Sequence, residues 1–240
     1  MTEDLQAAAA LSKERVAHAD RFFSPLKNIG AAIAIGSSIL QSIEVRPLEY
    51  AFVARAVRAR QIEFALGRTL ARAALRQIGF APVDICAGAD RAPVWPPGVV
   101  GSITHCGDIG GAVVIPEING KPMVGIDIER VTATSDLIEV ITTPRERQRQ
   151  WFCQHVDADL LSSLCFSAKE SAYKAFYPRL QRFLDFTDVE LDFDFSSDSF
   201  TARLASHLAA DSVNVCSLSG RFSYGCGLVM TTATGFPDQP

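Results

Sequence analysis

Several large protein classes are excluded by what this sequence does not contain. Its six cysteines form no C-x-x-C pair and show no zinc-like spacing. They read as reduced cytosolic thiols, mostly buried. No apolar run is long enough to span a bilayer; AAIAIGSSIL (31–40) reads as a buried strand instead. The first residues, MTEDLQAAAALSKER, are acidic at their start and lack a long apolar core, so no secretory signal and a cytoplasmic location are expected. There is no surplus of positive charge: 23 Lys and Arg against 27 Asp and Glu give a net charge of −4, which argues against a nucleic-acid partner. Ser102 has no G-x-S-x-G elbow around it, so its nearness to His105 does not mark a hydrolase. Close internal repeats and low-complexity tracts are also missing.

What remains is an ordinary globular composition, 48% hydrophobic and 21% charged, over 240 residues. That is enough for one large domain or two modest ones. Charge is uneven: residues 51–80 hold six arginines against the single acid Glu63, whereas 181–200 hold six acids against Arg182. The first segment could meet an anion; the second reads as a solvated face. Helices are expected at 3–18, at 47–78 (Pro47 near the start, Gly79 after the end), at 135–151, and from 157 through SAKESAYKAFY. Strands are expected at 31–40, in GAVVIPEI, in VGIDIERV, and in FTDVELDFDF, SFTARLAS and GCGLVMTTAT, with SITHC leading into a strand. Asn119-Gly120 marks a hairpin turn. Both halves pass from helices to strands, consistent with two similar α+β lobes, 1–121 and 122–240.

VGIDIERV (124–131) places Val124, Ile126 and Ile128 on one strand face and Gly125, Asp127 and Glu129 on the other. Two acids side by side on a strand are most simply a solvated edge, and VELDFDF (189–195) alternates the same way without chemistry. FSAKESAYKAF (166–176) adds a second signal. On a helix Glu170 and Lys174 share a face, although S-x-x-E from Ser167 to Glu170 also has the form of a capping box. If Glu170 joins Asp127 and Glu129, three carboxylates need a cation, and an oxygen-only set suits Mg²⁺ with phosphate. Lys169 and Lys174 would stand beside it.

In GSITHC (101–106), Thr104 and His105 read as donors to an anion, with Cys106 a packed thiol. Arg60 and Arg68, two helical turns apart in RQIEFALGR, offer rigid forks suited to phosphate, unless both are merely solvated.

In this order the stretches resemble the 4′-phosphopantetheinyl transferases, in the subgroup that includes enterobactin synthase component D. They are RQIEFALGRTLARAAL (60–75), RAPVWPPGVVGSITHC (91–106), GIDIE (125–129) and FSAKESAYKA (166–175). The resemblance runs from about 47 to 195. It implies a pseudodimeric α+β fold with the active site in the cleft between two lobes, the N-terminal lobe on the coenzyme A phosphate side and the C-terminal lobe carrying the metal acids and the lysine. The implied reaction moves the phosphopantetheine arm of coenzyme A to a serine of an apo acyl, peptidyl or aryl carrier protein, releasing adenosine 3′,5′-bisphosphate. By position, Asp127, Glu129 and Glu170 match the metal ligands, for Mg²⁺ with Mn²⁺ able to substitute. Lys174 matches the lysine on the reacting phosphate. Arg60, Arg68 and His105, with Thr104 beside them and Arg91, match the nucleotide-phosphate contacts. Ile128 stands where some relatives place another metal-reaching residue. Glu170 or a metal-bound water is the implied base, and a monomer is expected. Two rivals remain: another Mg²⁺-dependent phosphate enzyme using the same acids, or a binding module that keeps the fold without turnover.

Overall fold

The computed structural model describes residues 3–81, 83–117, 122–132, 135–153, 156–209 and 217–236. The turn expected at Asn119-Gly120 lies outside them. The chain divides into two compact units, Met1–Ile118 and Asn119–Pro240. Both combine helices with an antiparallel sheet, so the fold is α+β.

In the first unit α1 (Glu3–Phe23) runs on past residue 18 and precedes β1 (Ala32–Ser37). A short α2 (Pro47–Tyr50) and the long α3 (Arg58–Gln77) follow, then β2 (Val99–Cys106) and β3 (Ile109–Pro116). The sheet order is β1-β3-β2. Leu66, Leu70, Ala71, Ala74 and Leu75 recur at helical spacing along α3 and pack on Ala32, Ala112 and Val114 of the sheet. Gly79, at φ +84°, closes α3: its N–H reaches Arg76 O, and that of Phe80 reaches Leu75 O.

The single helix expected over 47–78 is therefore two. Glu49 folds back to the Arg46 N–H (3.0 Å), and its carboxylate accepts from Arg72 (2.6 Å) and the Ile85 N–H (2.9 Å). That pins α2 to the side of α3, and the chain must turn at 51–56 to enter α3. Gln61 Nε2 donates to the carbonyls of Val53 (3.3 Å) and Ala56 (3.0 Å), which the turn leaves outside any helix. Phe52 and Val57 end up 50% and 74% exposed.

The second unit holds β4 (Met123–Arg130), the short α4 (Ile138–Ile141) and α5 (Pro144–Arg147), and the long α6 (Ala158–Leu180). It continues with β5 (Val189–Asp194), β6 (Ser199–Leu204), α7 (Ser206–Ala209), β7 (Ser217–Gly225) and β8 (Leu228–Gly235). The order β4-β8-β7-β6-β5 makes β4 an edge strand. The helical stretch expected at 135–151 is broken into short pieces, because Thr143 caps a new helix at Pro144: its hydroxyl accepts the Glu146 N–H at 3.1 Å. Asp157 caps α6 through the Leu160 N–H (3.0 Å), so Ser167 lies inside the helix and does not cap it. Ser167 Oγ instead donates to Thr231 Oγ1 (3.0 Å), which itself donates to the Ser167 carbonyl (2.8 Å).

The units share one internal device. In the first, buried Glu49 at the third position of a Pro-initiated helix pairs with Arg72 of the long helix, 23 residues on. In the second, buried Glu146 holds the same position and pairs with Lys169 of α6 at 2.8 Å, again 23 residues on. Each glutamate also accepts a distant backbone N–H, from Ile85 and from Leu191 respectively. Gln77 and Lys174, on the two long helices, each donate to a strand carbonyl, Ile33 O (2.7 Å) and Ile126 O (3.2 Å).

Candidate active site

Gly125 decides where α6 sits. A Cβ there would fall on the Ser171 carbonyl and close to Ala175 N, so only glycine lets the helix backbone lie against β4. The face of β4 that carries Asp127 and Glu129 thus turns toward α6 rather than toward solvent. Asp127 is 3% exposed, which removes the solvated-edge reading. Lys174 Nζ lies 2.6 Å from Asp127 Oδ1. Burial first, then the charge of Asp127, pushes the Glu129 carboxyl up to about 7; Glu170 adds to this and Lys174 opposes it. Glu170 is also raised, by burial first and then by Asp127, against Lys174. Three carboxylates and one ammonium therefore share one electrostatic field. Among the described residues no three His, Cys, Asp or Glu side chains form a ready ligand set. VELDFDF behaves differently: Glu190 and Asp192 pair with Arg145 (3.5 Å) and Arg149 (3.2 Å) near the surface.

On the first unit, Arg60 Nη1 stands 2.6 Å from His105 Nε2 and 3.4 Å from Glu63 Oε2. A guanidinium only donates, so Nε2 accepts and the ring proton is on Nδ1, 3.6 Å from Glu63 Oε2. Glu63 was not singled out by the sequence; its i, i+3 spacing from Arg60 was the signal available. Arg68 is buried, with Nε donating to Ile85 O (2.6 Å) and its guanidinium 4.2 Å from the Phe64 ring centroid. Burial lowers its pKa to about 10; Arg60 and Arg72 push the same way, and Glu49 opposes them. Arg68 stays charged at neutral pH among like charges, a setting that favours an anion.

Two other expected contacts, Thr104 and Lys169, are placed elsewhere. Thr104 is buried on the opposite face of β2 from His105, because successive strand residues alternate. Lys169 is 2% exposed and gives its ammonium to Glu146 and to the Phe186 carbonyl (2.7 Å), not to the acids beside Lys174. Arg91 is exposed, with φ 69°. Among the four cysteines Cys86, Cys106, Cys165 and Cys226, all free, Cys165 is buried and the other three are partly exposed, where mostly buried thiols were expected.

Residues 48–115 match the family model of the 4′-phosphopantetheinyl transferase N-terminal domain, and 123–226 that of the 4′-phosphopantetheinyl transferase superfamily. The 4′-phosphopantetheinyl transferase Svp of Streptomyces mobaraensis is 39% identical over 191 residues, 77% of this chain and 76% of Svp. The chain belongs to the 4′-phosphopantetheinyl transferase superfamily. PptT of Mycobacterium tuberculosis is 36% identical over 195 residues, covering 77% of this transferase and 83% of PptT. Enterobactin synthase component D of Escherichia coli O157:H7 is 42% identical over 130 residues, 52% of the chain and 59% of that protein. As a phosphopantetheinyl transferase the chain moves the 4′-phosphopantetheine arm of coenzyme A to a serine hydroxyl of an apo carrier protein, releasing adenosine 3′,5′-bisphosphate. Among the described residues, no helix of the transferase is long and apolar enough to cross a membrane.

Proposed function

We propose that this transfer depends on Mg²⁺, with Mn²⁺ able to substitute, held by Asp127, Glu129 and Glu170, in a cytoplasmic monomer. The observation that carries the reading is Lys174 against Asp127, with two neighbouring carboxyls, Glu129 and Glu170, each raised by burial and then by the charge of Asp127. Such a set is short of positive charge and offers oxygen ligands only, which fits a hard divalent cation. When bound, the metal supplies positive charge to the pyrophosphate oxygens.

The chain's own groups account for the remaining steps. Arg60, His105 and Arg68 take the nucleotide phosphates of coenzyme A, with exposed Arg91 as a further contact. Lys174 leaves part of its contact with Asp127 to donate to the reacting phosphate. The carrier serine Oγ attacks the pantetheine-side phosphorus, and the bond to the bridging oxygen breaks. Glu170 takes the serine proton as general base. Lys174 opposes the charge that builds on the departing bisphosphate.

The test is a mass shift on apo carrier protein incubated with coenzyme A, with Mg²⁺ or with chelator. Transfer should need the metal. Calorimetry with Mn²⁺ alone should show binding that Asp127→Asn loses. Equal transfer with chelator, or unchanged Mn²⁺ binding by the variant, would remove the metal assignment. Sedimentation should give a monomer at low micromolar concentration; a persistent dimer would contradict that part.

A further inference from the structure

The connection that splits α2 from α3 exposes an unusual amount of apolar surface. Leu48 is 64% exposed, Tyr50 45%, Phe52 50% and Val57 74%, all within ten residues of chain. The backbone beneath them is fixed. Val53 is buried, Glu49 is locked to Arg72, and Gln61 Nε2 reaches the Val53, Ala54 and Ala56 carbonyls. Rigid backbone displaying apolar side chains is already shaped for a partner, since little ordering is left to be done on binding.

Charge indicates what kind of partner. From 50 to 62 there is no acid, and Arg55, Arg58 and Arg60 are all exposed. Arg55 and Arg58 make no ion pair among the described residues. Arg58 and Arg60 also lie in the first turn of α3, which has no acid. The positive end of a helix disfavours cations there; Arg60 is offset by Glu63 and His105, but Arg58 has no such compensation. The patch runs directly into the Arg60–His105 group.

We propose that Leu48–Arg58 is the docking surface for the apo carrier protein, which meets it with an acidic, partly apolar face. The inference rests on the transferase reading. A chain with net charge −4 repels an acidic partner generally, and this basic patch gives such a partner one attractive approach.

The test compares steady-state transfer by wild type, Arg55→Glu/Arg58→Glu and Leu48→Ser/Phe52→Ser, using an apo acyl and an apo peptidyl carrier protein. Glu at position 58 suits the helix start, so the first variant should fold at least as well as wild type. Both variants should raise KM for the carrier at least about tenfold, with kcat and KM for coenzyme A near wild type. Added salt should raise the wild-type carrier KM and scarcely move that of the charge variant. Unchanged carrier KM in both variants overturns the docking role while leaving the transferase intact. A parallel rise in KM for coenzyme A overturns it too, assigning the arginines to the nucleotide. So does loss of binding to anionic vesicles, or of self-association, with carrier KM unchanged. A wild type that modifies no apo carrier removes the transferase reading and the docking role together.

Discussion

Glu129 folds with its carboxyl raised from 4.5 to about 7, so between these values the folded chain holds a proton that the unfolded chain releases. Stability must then fall as pH rises through that window. Glu129→Gln should therefore raise the melting temperature in metal-free buffer at about pH 8 by about 2–4 °C, roughly 1 kcal/mol for a partly solvated group. At about pH 4, where both forms are neutral, it should change little. Thermal denaturation of both proteins at the two pH values checks this; an equal shift at both would place the carboxyl outside the charged cluster. Glu170→Gln keeps the side-chain volume, and since Asp157 caps α6, no cap is at stake. Transfer should still fall by at least about 10²-fold, the lower end for losing a general base. Near-normal turnover at saturating Mg²⁺ would return Glu170 to a structural role. Strand and helix periods put these acids and Lys174 on definable faces but left a solvated edge as the simplest reading; the motif resemblance, not the periods, pointed to their grouping. The destinations of Lys169 and Thr104 were not legible: burial depends on Glu146, Phe186 and the rest of the fold, which no local spacing encodes.

Strand β4 and helix α6 meet through Gly125, and that contact makes a sharp test of the element packing. Gly125→Ala would push α6 off the strand or distort both. It should cost about 1–3 kcal/mol as overpacking does, and reduce transfer more than stability, because Lys174 moves away from Asp127 with the helix. Urea unfolding beside a transfer assay reads both; normal values for both would mean that the helix does not sit so close. The buried Glu–base pairs are a second test. Glu49→Ala and Glu146→Ala each strand a buried cation and should cost about 3–5 kcal/mol, whereas Glu146→Met combined with Lys169→Met should cost much less. The pairs were illegible in sequence because R-P-L-E and T-P-R-E differ in all but Pro and Glu, and the bases are Arg in one unit and Lys in the other. The break at 51–56 was hidden for a related reason, since a buried ion pair overrides helix propensity. Strand β7 leaves little alternating signal in the sequence because Gly220 stands where an apolar side chain would show it; the Phe200 ring of β6 fills that space.

For the whole molecule, the proposed role of Arg60, Arg68 and His105 on the nucleotide predicts that dephospho-coenzyme A binds more weakly than coenzyme A, by about 1.5–3 kcal/mol for lost charge-assisted hydrogen bonds. Calorimetry with both compounds decides it, and equal affinity would detach Arg60, Arg68 and His105 from the 3′-phosphate. The two units also differ electrically. Residues 1–118 carry 12 basic and 11 acidic side chains, leaving 11 basic and 16 acidic for residues 119–240. The chain is nearly neutral in one unit and strongly negative in the other. An anionic nucleotide diffusing toward the protein meets a repulsive field from one half and the exposed arginines of 51–80 in the other. On the proposed phosphate contacts, the division into units would act as a kinetic filter: coenzyme A should meet the arginine-bearing half first, and ionic strength should tune how fast substrate is captured while leaving the rate of phosphoryl transfer in the assembled complex largely untouched.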